Sequence, residues 1–194
     1  MPLTQIAPGL RRWTTPHAEW LEEVGSLAVD TDDGLVLIDP LDPPAEVGEP
    51  AHVLLTVHWH VRSSGAGQVW AHQRASRLLA NRGVELSHPF IPGDPLPGGI
   101  EAITTSRPGE VIYWLPQQRS LAIGDVLLGA GAKPHATNDP LRLCPERWLG
   151  KATHDDLRAS LSPLLDLPVE NVLVSHGEPV IRGGADMLAA LLGG

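Results

Sequence analysis

Residues 52–63 read HVLLTVHWHVRS, and the fold turns on how this stretch is read. Its first half, residues 52–57, is aliphatic and β-branched and predicts a buried strand. The second half puts two imidazoles, His58 and His60, directly after that strand. Side chains two apart on extended backbone project to the same side, so the spacing predicts that His58 and His60 meet one metal ion while Trp59 faces the other way. Three further strand ends carry polar groups: Asp39 after residues 35–38, Asp125 after 121–124 and His176 after 172–175. Polar side chains placed where buried strands emerge can converge in one cleft with rigid backbone behind them. Imidazole nitrogens with a carboxylate oxygen suit zinc, iron or manganese.

Outward from that stretch, residues 26–30 and 35–38 are apolar runs joined by Thr31-Asp-Asp-Gly34, a hairpin signal. Residues 69–70 read as a short strand, 71–81 as a helix stopped by Gly83, and 87–99, dense in Pro and Gly, as loop. Residues 100–105, 110–115 and 120–123 predict three more strands, and 129–151, which has neither helical nor strand periodicity, predicts a long loop. Thr153-His-Asp-Asp156 has the form of a capping box opening a helix that Pro163 kinks or restarts. Residues 171–175 then predict a last buried strand and 185–192 a closing helix. Strand runs with few helices predict an α+β class, two sheets or one folded sheet with helices outside.

Composition narrows the function. The chain has 194 residues, 42% apolar, with 14 Lys and Arg against 23 Asp and Glu and a net charge of −9. One domain spanning 1–194 with a substantial core is expected at this length. An acidic surface without a basic cluster argues against nucleic acid. No apolar run approaches the roughly 20 residues that span a bilayer, so no membrane association is expected, and the absence of a secretory leader pattern points to the cytoplasm. Cys144 is the single cysteine, which rules out an internal disulfide or a cysteine-built zinc cluster; it is expected to pack as a small apolar group.

Leu37-Ile-Asp-Pro40, Leu54-Leu-Thr56 leading into His58-Trp-His60, Ser106-Arg-Pro-Gly109, Ile123-Gly-Asp125 and Ser175-His-Gly-Glu-Pro179 form an ordered set over residues 25–181. In that order they resemble the metallo-β-lactamase-fold superfamily. The resemblance implies a four-layer αβ/βα sandwich with a metal cleft at one edge between two sheets. It implies His58, His60, Asp125 and His176 as metal ligands, with Asp39 behind them.

The departures from the family pattern are specific. The family signature is His-x-His-x-Asp-His, but Arg62 stands where the ligand Asp belongs and Ser63 where the next His belongs. Ser106 stands where the family carries a third histidine. A guanidinium has no free lone pair and cannot ligate. The site is therefore expected to hold at most one divalent metal, zinc first among candidates, with a metal-free protein as the alternative. A buried carboxylate without its second cation needs another positive partner, and Arg62 is expected to enter that space and pair with Asp125.

The implied activity is metal-dependent hydrolysis of a small ester, thioester, lactone or amide. Asp125 would orient or deprotonate the water, Arg62 would take an anionic substrate group or the developing oxyanion, and His176 would handle a proton. The alternative is a non-catalytic ligand-binding or regulatory protein that keeps the fold without metal. Either way the expected partner is a small molecule, and exposed strand edges leave a homodimer open. Ser63 and Ser106 have no visible base and read as plain substitutions. His135, in the 129–151 segment, is a spare imidazole most simply solvated, and the tryptophans are core or rim aromatics, a few of them walling a pocket.

Overall fold

The computed structural model describes residues 3–63, 65 and 67–193. In chain order the first elements are β1 (Thr4–Ala7), β2 (Leu10–His17), β3 (Glu22–Thr31), β4 (Gly34–Ile38), β5 (His52–Leu55), β6 (Gln68–His72), α1 (Ser76–Ala80) and β7 (His88–Phe90). Their strands form one sheet in sequence order, antiparallel through β4 and parallel from β4 onward. β8 (Glu101–Thr104), β9 (Val111–Leu115) and β10 (Ser120–Ile123) follow, then β11 (Leu127–Gly129), β12 (Leu141–Leu143), α2 (His154–Leu161), β13 (Asn171–Val174) and α3 (Gly184–Leu192). The second sheet has the order β13-β10-β9-β8, with β13 parallel to β10, while β11 and β12 form a separate ribbon.

Strand periodicity sets the layering, because alternate side chains leave opposite faces of a sheet. In the first sheet Leu27, Val29, Val36, Ile38 and Leu54 enter the space between the sheets, where they meet Val111, Tyr113, Leu115, Ala122 and Leu173 of the second. The alternate residues Ala28, Leu37, Val53, Leu55, Val69 and Ala71 pack outward against Ala75 and Leu79 of the α1 region. On the far side Ile112, Trp114, Leu121, Ile123, Val172 and Val174 pack against Leu157 and Leu161 of α2 and Leu188 of α3. The result is helix, sheet, sheet, helix: the expected αβ/βα sandwich.

Local signals hold where they are self-contained. The Asp33-Gly34 turn joins β3 to β4 in register Thr31 to Gly34. Thr153 caps α2, its Oγ1 accepting from the Asp156 amide at 3.2 Å while Asp156 Oδ2 accepts from the Thr153 amide at 2.8 Å. Pro163 lies in the 3₁₀ segment Ser162–Asp166 that follows α2. Three expectations need correction. Residues 71–72 finish β6, and the helix expected over 71–81 is a 3₁₀ turn, Gln73–Ala75, followed by the short α1. The loop expected over 87–99 contains β7, whose Pro89 is tolerated because β7 is the sheet's last strand. The loop expected over 129–151 contains β12 and begins inside β11; strands of three residues are too short to show alternation. Among the described residues no helix is long and apolar enough to cross a membrane.

Candidate functional site

The ends of β4, β5, β10 and β13 bring Asp39, the 58–60 turn, Asp125 and His176 to one edge of the sandwich. Asp39 sits just past β4 at φ +48°, a left-handed conformation that a short polar side chain can hold at modest cost. Its Oδ1 accepts from the Thr56 amide at 2.9 Å, and its Oδ2 accepts from the Thr56 hydroxyl and from His60 Nδ1, the latter at 2.8 Å. Asp39 thus fixes the ring of His60, which is fully buried. His176 is fixed the same way, with Nδ1 on Glu22 Oε1 at 2.7 Å. Gly177, at φ +84°, allows the tight passage after it, since a Cβ there would lie 2.6 Å from the Gly129 carbonyl oxygen.

The Asp125 carboxylate divides its two oxygens between two environments. Oδ1 faces the imidazoles, 3.1 Å from His60 Nε2 and 3.2 Å from His176 Nε2. Oδ2 accepts from Trp59 Nε1 at 2.8 Å and from Arg107 Nη1 at 3.3 Å. The Arg107 guanidinium also lies 4.4 Å above the Trp59 ring and binds Glu110 Oε2 at 3.0 Å. Beneath, Glu110 Oε1 accepts the amides of Asp125 and Val126 at 2.6 and 2.9 Å, which holds the Asp125 turn in place. Gly124 makes room for this, because a Cβ there would meet Thr56 Oγ1 at 2.5 Å and Glu110 Oε1 at 2.9 Å.

Electrostatics follows from the packing. Burial alone would lower the His60 pKa, but the charges of Asp39 and Asp125 outweigh it and raise the value to about 9. His176 is also raised: burial opposes, and hydrogen bonds to Asp125 and Glu22 prevail. Against its own burial, Asp125 is held well below the usual carboxylate range by the His60 charge and the His176 hydrogen bond. Burial, with the Asp125 charge behind it, pushes Glu110 up to about 7.

Two expectations about this region are corrected. Residues 58–60 form a 3₁₀ turn, not extended chain. At three residues per turn, side chains two apart diverge by about 120°. His60 therefore enters the site, His58 stays outside it with its ring 4.5 Å from that of Trp59, and Trp59, expected to face away, is the residue that reaches Asp125. Among the described residues Arg62 forms no ion pair with Asp125; the cation there is Arg107. Arg107 is carried by the Ser106-Arg-Pro-Gly109 turn, next to the position where the family's third histidine would stand. Glu22, Glu110 and Arg107 escaped the sequence reading. Glu22 and His176 are 154 residues apart and leave no signal, whereas Glu110, an acid directly before the fully buried β9, could have been flagged.

One ligand atom from each of His60, Asp125 and His176 lies within 4.8 Å of the others. The ring nitrogen of each histidine that faces away from the cluster is held by a carboxylate, an arrangement that orients an imidazole toward a metal and raises its basicity. The three groups fit one divalent cation with open positions, while Arg107 holds the oxygen a second cation would need. Outside them opens a cleft of about 790 Å³, lined by Asp125, Arg107, Arg62, Arg82 and His17 and by Trp20, Trp59 and Trp148.

No protein-family model matches the chain, and no curated protein does. Solved structures match along nearly its whole length. A metallo-β-lactamase from Pontibacter korlensis superposes with a TM-score of 0.67 at 17% identity, covering 99% of this chain and 98% of that one. The metallo-β-lactamase FIM-1 from Pseudomonas aeruginosa, in its mono-zinc form, gives 0.67 at 14% identity, covering 99% and 94%. A metallo-β-lactamase family protein from Thermus thermophilus gives 0.64 at 19% identity, covering 95% and 77%. The chain has the metallo-β-lactamase fold.

Proposed function

We propose that this protein is a metal-dependent hydrolase with one divalent ion, zinc, held by His60, Asp125 and His176, acting on a small ester, thioester, lactone or amide. The observation that carries the reading is the division of Asp125, one oxygen facing two oriented imidazoles and the other neutralised by Arg107 and Trp59. FIM-1 in its mono-zinc form supports a single ion as attainable in this fold. The cleft volume suits a small molecule.

A bound divalent ion supplies polarisation of a carbonyl and a water acidic enough to ionise near neutral pH. The chain's own residues do the remainder. Asp39 and Glu22 keep the Nε2 atoms of His60 and His176 turned inward and take up positive charge on the rings. With Oδ1 among the ligand atoms, Asp125 would orient the attacking water, whose proton passes to solvent in the cleft. Arg107, paired with Glu110 and Asp125, fixes the orientation of the Asp125 carboxylate. His176, with Nδ1 on Glu22 and Nε2 among the ligand atoms, serves as a ligand, and the leaving group takes its proton from solvent in the cleft.

The test is zinc-loaded protein assayed against a panel of aryl esters, thioesters, lactones and amides. Hydrolysis of at least one class, abolished by EDTA, restored by zinc and reduced by about 100-fold or more in Asp125→Asn, supports the proposal. A second reading, a metal-free ligand-binding protein, draws on one observation: each ring nitrogen of His60 and His176 already faces a carboxylate, so two protons alone can satisfy the cluster. Protein that takes up no zinc and hydrolyses nothing on the panel decides for the second reading.

A further inference from the structure

Two half-buried groups of the cleft, Arg62 and His17, are not used by the metal-site network. Arg62 lines the cleft half-buried, and its Nη1 is shielded from solvent without a hydrogen-bond partner among the described residues. His17, at the end of β2, lines the same cleft, and its Nδ1 is likewise shielded and unpartnered. The two belong together: the Arg62 charge helps to lower the His17 pKa, after burial. A buried polar nitrogen without a partner costs about 1–3 kcal/mol, and two such atoms on residues that line one cleft point to a partner that arrives from outside the chain. Of the other cations that line the cleft, Arg107 is already committed to Glu110 and Asp125, and Arg82 is exposed to solvent. The same cleft has aromatic walls, with Trp20 and Trp148 in edge-to-face contact at 5.5 Å and Trp59 also among the lining residues.

We propose that Arg62 and His17 form the seat for a carboxylate on the substrate, whose flat apolar body lies against Trp20, Trp59 and Trp148. A guanidinium matches the two oxygens of a carboxylate, and the neighbouring imidazole N–H adds a third donor. A planar ring system stacks on tryptophan at little entropic cost. The substrate class is thus an aromatic acid bearing a separate ester, thioester, lactone or amide, the acid on Arg62 and the scissile carbonyl toward Asp125. This deepens the hydrolase reading and rests on it for the fate of the ligand, but not for its binding.

The probe is 2-naphthoate, with 2-naphthamide as its uncharged isostere, titrated calorimetrically into the full chain. Carboxylates also ligate zinc, so EDTA-treated protein reads the arginine seat alone. Saturable one-to-one binding of naphthoate, about 10-fold or more tighter than naphthamide and weakened as salt rises, is expected. Arg62→Met should lose about 10-fold in naphthoate affinity and leave naphthamide unchanged, Arg62→Lys should recover part of the loss, and His17→Phe should weaken naphthoate alone. Equal affinities for the two probes in the unaltered protein, or no binding of either, overturns the proposal without reference to any variant. So does an Arg62→Met protein of native circular dichroism that binds naphthoate as before. Hydrolysis of neutral esters with no preference for naphthoate would sink the seat and spare the hydrolase; naphthoate preference without hydrolysis would do the reverse.

Discussion

Replacing Arg107 by Met removes the cation on which two buried carboxylates depend. The Arg107 side chain is 15% exposed, against 0% for Glu110 and 8% for Asp125, so its charge acts in a poorly solvated region. Breaking a buried pair by removing one partner costs about 3–5 kcal/mol, and the guanidinium stacked on Trp59 contributes about 1 kcal/mol more. Two features reduce the loss. Met keeps most of the apolar stem in place, and Glu110, already raised to about 7, can take a proton once its partner is gone. The expected net loss is about 3 kcal/mol, or about 6–12 °C in Tm for a chain of this length. The assay is thermal and urea unfolding at pH 7.5 in EDTA, followed by tryptophan fluorescence. Glu110→Gln completes a double-mutant cycle, and a coupling of about 2 kcal/mol is expected between the two positions. An Arg107→Met protein within about 0.5 kcal/mol of the parent, or a strictly additive cycle, would refute the role given to this ion pair.

In EDTA, His60 contributes stability with a definite sign: its folded pKa of about 9 lies above the unfolded 6.5, so the contribution is full below pH 6.5 and is lost as pH rises through 9. Urea unfolding should show stability falling between pH 7 and 9 by up to about 1.4 kcal/mol per unit, a fall that Asp39→Asn should flatten. Thr153→Ala removes the side-chain half of the capping box at the start of α2, leaving the Thr153 amide on Asp156, and should cost about 1 kcal/mol in the same assay, with Thr153→Ser near neutral. Gly124→Ala forces a Cβ against Thr56 Oγ1 and Glu110 Oε1, both tied into the site, and should cost about 1–3 kcal/mol and weaken zinc binding in a calorimetric titration.

The architecture was legible in the sequence wherever a signal was local or periodic. The Asp33-Gly34 turn, the Thr153 capping box and the short apolar runs of β4, β9, β10 and β13 each depend on neighbouring residues and on burial. The site was legible at the level of which strand ends converge, and less so in what each side chain does there. A 3₁₀ turn in place of extended chain exchanges the roles of His58 and Trp59, and nothing in HVLLTVHWHVRS announces it. The guanidinium replacing a second cation was foreseen in kind but assigned to Arg62, because that residue occupies the missing aspartate's position. Arg107 holds the place through a turn that brings it over Trp59, a contact set by tertiary packing. Arg62, freed from Asp125, lines the cleft instead.

The most direct test is the zinc stoichiometry of protein purified without a metal-binding tag, by elemental analysis and by calorimetric titration of the EDTA-treated chain. One equivalent, lost in His60→Ala, Asp125→Ala and His176→Ala but retained in His58→Ala, is the predicted result. Two equivalents, or one that depends on His58, would contradict the arrangement in which Arg107 holds the second oxygen of Asp125; none at all would remove the metal centre.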